Sequence, residues 1–165
     1  MARIEIPEDE GLEVFRALDL APHFKELVVA YETAVAKSPL DRRLHELVRM
    51  RIAQINACTV CLNWRNADWG VTEEDLAAVG EYADSPLFSA EEKTALEYAT
   101  RFATDSAGIE DELLERLVGF LGPEGVVDLT LVLGKYLAMG RFMQVLGLDQ
   151  ACSLTYADGE LVMRS

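Results

Sequence analysis

Apolar residues recur at helical spacing along most of this chain, and prolines and glycines divide the pattern into segments. Between residues 44 and 55, leucine, valine and isoleucine return every three or four positions, as they do on one face of an α-helix. No segment shows the alternation that is typical of a half-buried strand. The pattern predicts an all-α, single-domain multi-helix bundle over residues 1–165, with helices over the following ranges: 9–18, 22–36, 41–55, 58–70, 72–82, 89–105, 110–121 and 123–146.

Polar residues mark the start of two of these helices. Thr72 is followed three positions later by Asp75, and Ser89 is followed in the same way by Glu92. In such a capping box, each of the two side chains accepts a hydrogen bond from the backbone N–H of the other residue. Both pairs therefore predict helix N-termini.

The most apolar part of the chain lies between Val126 and Leu148. It contains Asp128, Lys135 and Arg141, so it predicts a buried helix and not a membrane span. This helix is apolar on almost every side, and a chain of 165 residues cannot easily enclose it alone. The sequence therefore predicts a homo-oligomer with helices of the C-terminal half in its interface.

The chain is acidic, with a formal net charge of −14 and a sequence pI of about 4.5. Such a surface repels phosphate groups, which argues against nucleic acid and anionic membranes as partners. The first ten residues are acidic and short of apolar residues, unlike a signal peptide. We therefore expect a cytoplasmic protein in a reducing compartment, where cysteines rarely form structural disulfides.

Cys58 and Cys61 form a Cys-x-x-Cys pair, which is the main chemical feature of the sequence. Such a pair can be half of a zinc site, a redox dithiol or two inert buried cysteines. Zinc needs four ligands, usually from two such pairs, and only Cys152, His23 and His45 remain as candidates. We therefore expect no metal and no other cofactor, while the redox and the inert interpretations both stay open.

Helical spacing would bring the two cysteines together. If Asn56 caps a helix that begins near Cys58, then Cys58 and Cys61 are neighbours that can form a disulfide. The free N–H groups at the start of that helix would stabilise a thiolate. Arg65 lies one turn beyond Cys61 on the same predicted face, where its charge would lower the pKa of a thiol. The alternative for Arg65 is a surface cation that pairs with Asp68.

Glu46 is a candidate acid–base group. On the third predicted helix it shares an apolar stripe with Met50 and Ala53. Burial in that stripe would raise the pKa of its carboxyl, and a carboxyl of raised pKa can take up and return protons near neutral pH. The alternative is a solvated carboxylate among the neighbouring arginines.

Residues 40–61 resemble the carboxymuconolactone decarboxylase family, in its alkylhydroperoxidase D-like branch. The branch has a glutamate followed twelve residues later by a Cys-x-x-Cys pair, and Glu46 and Cys58 have that spacing. The branch usually carries histidine four residues after the second cysteine as a proton relay, where this chain has Arg65. Arginine keeps its proton at working pH and cannot relay one. The resemblance extends over about residues 20–150 and includes three further segments: 71–74, 85–89 and 140–147.

The resemblance implies an all-α fold that assembles into trimers or hexamers and acts as a thiol-dependent peroxidase or disulfide oxidoreductase. In that mechanism Cys61 attacks a hydroperoxide and Cys58 closes the disulfide. A dithiol reductant, such as a lipoyl group or a small redox protein, then reopens it. Glu46 is the implied proton acceptor, and Arg65 is the electrostatic partner of the thiolate.

Two alternatives come from other functional classes. One is a carboxymuconolactone decarboxylase-like enzyme of aromatic catabolism, which would keep its activity without the dithiol. The other is a non-catalytic, redox-sensing oligomeric module, in which the disulfide forms without peroxide turnover.

Overall fold

A computed structural model of the chain describes residues 2–149, 153–157 and 160–164, so Cys152 lies outside the described residues. Within them the backbone forms seven α-helices: α1 (Glu13–Asp19), α2 (Pro22–Ala36), α3 (Arg42–Ile55), α4 (Thr59–Asn63), α5 (Glu73–Ala78), α6 (Ala90–Thr104) and α7 (Asp111–Leu146). Single 3₁₀ turns follow α5 and α6. The predicted all-α fold is confirmed.

A small sheet departs from the sequence prediction, which contained no strand. It consists of β1 (Trp64–Asn66), β2 (Ser153–Ala157) and β3 (Glu160–Arg164). β2 lies in the middle, parallel to β1 and antiparallel to β3. The three-residue β1 is too short to show a periodic pattern, because alternation needs at least four positions to be recognised.

The helix α3 occupies the centre of the bundle and packs against both α6 and α7. Aspartate caps its start, because the Asp41 carboxylate accepts a hydrogen bond from the backbone N–H of Leu44 at 3.0 Å. Apolar side chains at helical spacing on all three helices fill the core between them, including Leu47, Ile52, Leu96, Leu129 and Leu133. This packing buries α3 at the centre of the bundle, and the Cys-x-x-Cys pair follows shortly after its C-terminal end.

Both predicted capping boxes are present. The Thr72 hydroxyl accepts from the backbone N–H of Asp75 at 3.1 Å, and the Asp75 carboxylate accepts from the N–H of Thr72 at 2.8 Å. Ser89 and Glu92 form the same pair of bonds, at 3.1 and 2.8 Å. These local signals place the starts of α5 and α6 correctly.

The long helix α7 consists of two segments that meet at a kink. Gly122 has φ 70° and ψ 169°, a conformation outside the helical region, and Pro123 begins the second segment. Glycine tolerates the positive φ, and proline at the first position of a helix costs no hydrogen bond. The predicted break at this position is confirmed.

Much of the apolar surface of α7 is exposed. By length and composition alone the helix could cross a membrane, and only 22% of its most apolar window is buried. Exposed apolar residues also lie on α2, which packs beside α7. We call this exposed set the α2–α7 face, and its most exposed members are Phe24, Leu27, Val127 and Leu131.

We expect the α2–α7 face to be covered by further copies of the chain. Light scattering should then give a multiple of 18.3 kDa. Leu131→Asp should shift the mass toward the monomer, because the interface would have to bury an unpaired carboxylate. Leu87→Asp changes an exposed leucine in a loop and is the matched control. A wild-type mass of 18.3 kDa at micromolar concentration would contradict this expectation.

Candidate active site

A tight joint between α3 and α4 presents the two cysteines. Asn56 is the C-cap residue that follows α3, and Ala57 turns the chain with a positive φ of 49°. Cys58 then stands at the N-cap position of α4. The Asn56 side-chain amide donates to the carbonyls of Tyr136 and Leu137, at 3.2 and 3.3 Å. Asn56 therefore anchors the joint to α7. The sequence had suggested that Asn56 caps α4, but Cys58 occupies that position.

Cys58 and Cys61 form a disulfide, with their Cα atoms 5.2 Å apart. The two residues differ in exposure, since Cys58 is completely buried and Cys61 is half-buried. The side chains of Leu12, Trp64 and Met143 pack against the buried cluster that contains Cys58. A reagent from solution therefore has better access to Cys61 than to Cys58.

Arg65 does not share a helical face with the cysteines. The helix α4 ends at Asn63, seven residues before the predicted end, and Arg65 lies in β1. Its guanidinium forms a two-point ion pair with Glu73, at 2.5 and 3.0 Å. The same side chain donates to the backbone carbonyls of Leu62 and Trp64. The prediction of a common face is wrong because the chain leaves the helix early to pair with β2.

We expect Arg65→Ala to change the rate of hydroperoxide reduction by less than about threefold, since an ion pair this exposed contributes little. The positive charge is balanced by Glu73, whose side chain is 74% exposed. Thiolate absorbance of the reduced protein, recorded as a function of pH, measures the pKa of the reactive thiol directly. Glu73→Gln is the control for loss of the pair without loss of the cation. A thiol pKa raised by a full unit, about 1.4 kcal/mol, would show that Arg65 acts on the thiolate.

Glu46 is buried, with 1% of its surface exposed. Its two carboxylate oxygens accept hydrogen bonds from Nη2 and Nε of Arg49, at 2.6 and 2.7 Å. Oε2 also accepts from the side-chain amide of Asn66 at 2.7 Å. Burial raises the pKa of Glu46, but the hydrogen bonds and charge of Arg49 outweigh it, so the net pKa is lowered. The predicted burial is confirmed, and both the predicted raised pKa and the solvated alternative are wrong.

Arg49 is the residue of this site that sequence reasoning missed. Arg49 is buried in α3. In addition to its ion pair with Glu46, it contacts the backbone at and after Cys61. Nη1 donates to the carbonyl of Cys61 at 2.8 Å, and Nη2 donates to the carbonyl of Trp64 at 3.0 Å. The available signal was the spacing of Glu46 and Arg49, one helical turn apart with opposite charges.

His45 is also buried and lies beside this cluster. Its Nε2 is 3.0 Å from the hydroxyl of Tyr136, and its ring packs against that of Trp69. Burial lowers the pKa of His45 to about 4, so the imidazole is neutral at neutral pH. Among the described residues, no group of His, Cys, Asp and Glu is arranged to hold a metal ion.

The part of the chain that carries this arrangement is similar to a known protein family. Residues 22–101 match the model of the carboxymuconolactone decarboxylase family. This match covers just under half of the chain and marks a similarity to the family. The matched range holds Glu46, Arg49, both cysteines of the disulfide and Arg65, whereas α7 and the strands β2 and β3 lie beyond it.

Two relatives in this family-level comparison carry no assigned function. YnjA of Escherichia coli is 34% identical over 109 residues, which cover 64% of this chain and 60% of YnjA. YdfG of Bacillus subtilis is 26% identical over 133 residues, which cover 78% of this chain and 90% of YdfG. The matched part of the chain thus spans three fifths of YnjA and nearly all of YdfG.

Two solved structures share the fold of this chain. One, from Agrobacterium tumefaciens, is a protein of unknown function and a candidate antioxidant defence protein, AhpD. It has a TM-score of 0.70 and 21% identity, over 79% of this chain and 92% of its own. The other is the alkylhydroperoxidase AhpD core of a peroxidase-related protein from Ralstonia eutropha. It has a TM-score of 0.69 and 17% identity, over 82% of this chain and 75% of its own.

Proposed function

We propose that this chain reduces hydroperoxides with the dithiol of Cys58 and Cys61. The observation that carries the proposal is the disulfide at the joint between α3 and α4, within the AhpD-like fold. Two thiols that form a disulfide and are reduced again store and release two electrons. The similarity to the family and the peroxidase-related structural neighbour support a peroxide as the oxidant.

The reaction divides between the two cysteines according to their exposure. The thiolate of Cys61 attacks one oxygen of the peroxide, the O–O bond breaks, and the other oxygen leaves as an alcohol after taking up a proton. Cys61 is then a sulfenic acid. The sulfur of buried Cys58 attacks it, which forms the disulfide and releases water. A dithiol reductant, a lipoyl group or a small redox protein, reopens the disulfide and becomes a disulfide itself.

The setting proposed from the sequence suits this chemistry. A reducing compartment such as the cytoplasm keeps the two thiols reduced. A trimer or hexamer would cover the α2–α7 face. Arg65 stabilises the C-terminal end of α4 by donating hydrogen bonds to the carbonyls of Leu62 and Trp64.

Thiol counting during one turnover tests the proposal. Reduced wild-type protein should lose two thiols for each equivalent of hydroperoxide, with one alcohol formed. Addition of dihydrolipoamide should restore both thiols and sustain turnover. A disulfide that forms without sustained turnover would support the redox-sensing module instead. Conversion of a lactone substrate by the variant without both cysteines would support the decarboxylase-like enzyme.

A further inference from the structure

The guanidinium of Arg49 faces two groups at once. One edge is held by the carboxylate of Glu46, through two hydrogen bonds of 2.6 and 2.7 Å. The other side donates to the carbonyls of Cys61 and Trp64, at 2.8 and 3.0 Å. Only 5% of the Arg49 side chain and 2% of the Glu46 side chain are exposed. Hydrogen bonds from a buried ion are stronger than those between neutral groups in water.

These two carbonyls need donors. The helix α4 has five residues, and the last carbonyls of a helix have no partner within it. The carbonyl of Cys61 belongs to the residue whose sulfur is the more exposed of the pair. The carbonyl of Trp64 lies where the helix gives way to β1. A donor that holds both fixes the backbone on the C-terminal side of the dithiol.

We propose that Arg49 is a positioning residue for the dithiol, and that Glu46 acts through it. Glu46 orients the guanidinium, and Arg49 fixes the backbone of Cys61 and Trp64 so that the two sulfurs stay within bonding distance. In this arrangement the carboxylate of Glu46 is a structural anion and does not accept the proton of a thiol. The peroxide readout of this inference rests on the proposed function, whereas its redox readout does not.

Arg65 offers a natural comparison within the same segment. It holds the carbonyls of Leu62 and Trp64 from the outside, and its ion-pair partner is Glu73. The side chain of Arg65 is 30% exposed, against 5% for Arg49. Water competes for the outer contacts, so the inner arginine should have the larger effect on the dithiol.

The test measures the equilibrium between dithiol and disulfide. The full-length protein is incubated in mixtures of reduced and oxidised dithiothreitol, and free thiols are counted after alkylation. Glu46→Gln combined with Arg49→Met removes the contacts without leaving a buried charge. We expect this variant to shift the equilibrium at least tenfold toward the dithiol, because the contacts hold the backbone in which the sulfurs are bonded. Arg49→Lys keeps the charge with fewer donors and should give a smaller shift in the same direction.

Two further measurements separate positioning from proton transfer. The double variant should also consume hydroperoxide at least tenfold more slowly, by the same factor at each pH between 6 and 9. Glu97→Gln combined with Arg116→Met removes an exposed ion pair between α6 and α7 and should leave both measurements unchanged. Circular dichroism reports whether each variant is folded, and Arg49→Lys carries the test if the double variant is not.

Two results would overturn the inference. One is a redox equilibrium within twofold of wild type for both Arg49 variants. The other is a Glu46→Gln variant whose redox equilibrium is unchanged but whose rate loses its dependence on pH, as expected for a lost proton acceptor. If the wild-type protein reduces no hydroperoxide, the proposed function fails, and the redox equilibrium still decides the role of Arg49.

Discussion

Cys61→Ser should lower the rate of hydroperoxide reduction by about 1,000-fold or more, because the nucleophile itself is removed. Cys58→Ser should behave differently. Its Cys61 thiolate still attacks, so the protein should consume one equivalent of hydroperoxide and stop at the sulfenic acid. The half-buried position of Cys61 and the complete burial of Cys58 are the structural reasons for this order.

Mass spectrometry and peroxide consumption check the prediction. The Cys58→Ser protein should gain the mass of one oxygen atom and react with a sulfenic-acid probe. Cys152→Ser is the control, and we expect its turnover to stay within about twofold of wild type, an effect well below 1 kcal/mol. A single turnover retained by Cys61→Ser and lost by Cys58→Ser would mean that the two cysteines have the opposite roles.

Arg49→Met should lower the free energy of unfolding by about 3–5 kcal/mol at pH 7, since it leaves a carboxylate buried without its partner. Glu46 would keep its hydrogen bonds from Asn66, which carries no charge. Glu46→Leu in the same chain should recover most of the loss, because an apolar pair of similar volume replaces the ion pair. Urea unfolding of the single and double variants, with the protein reduced, measures both effects.

The contribution of the Glu46–Arg49 ion pair to the free energy of unfolding depends on pH. In the wild-type protein the pKa of Glu46 lies below its unfolded value, so the ion pair stabilises the fold above the unfolded pKa. That contribution is lost as the pH falls through the folded pKa. In Arg49→Met, burial is opposed only by the hydrogen bonds from Asn66 and not by an ion pair, so the pKa of the Glu46 carboxyl should rise relative to wild type. The loss of stability caused by Arg49→Met should therefore shrink as the pH falls from 7 toward 5.

Arg116→Met is the matched control, because Arg116 and Glu97 form an ion pair whose side chains are 47% and 36% exposed. Its effect should be about 1 kcal/mol or less. If Arg49→Met is no more harmful than this control, Glu46 and Arg49 do not form a buried pair in solution.

Local signals made the helices predictable from the sequence. Capping boxes at Thr72 and Ser89 involve residues only three positions apart, and the break at Gly122 depends on its own backbone. Such features depend little on distant packing, so the sequence contains almost all the information. The pair Cys58 and Cys61 was found for the same reason, because its spacing is itself local.

Long-range contacts made the rest of the site unpredictable. The helix α4 is short because β1 pairs with β2. No sequence feature near Arg65 predicts pairing with a strand that lies about ninety residues further along the chain. A signal for β2 and β3 was present in the sequence between them, where Asp158 precedes Gly159, a dipeptide typical of tight hairpins. The direction in which Glu46 and Arg49 face depends on how α3 packs, and the sequence alone could not decide it.

The pairing of β1 with β2 also has a consequence for the order in which the protein is made. Trp64 pairs with Leu154, which leaves the ribosome only after all the helices of the bundle have been synthesised. Contacts between distant parts of a chain form late, whereas two cysteines three residues apart can meet at once. The newly made chain therefore passes through a stage in which Cys58 and Cys61 are both present but β1 has no strand beside it. An oxidant that reaches the chain at that stage can close the disulfide before its surroundings are complete.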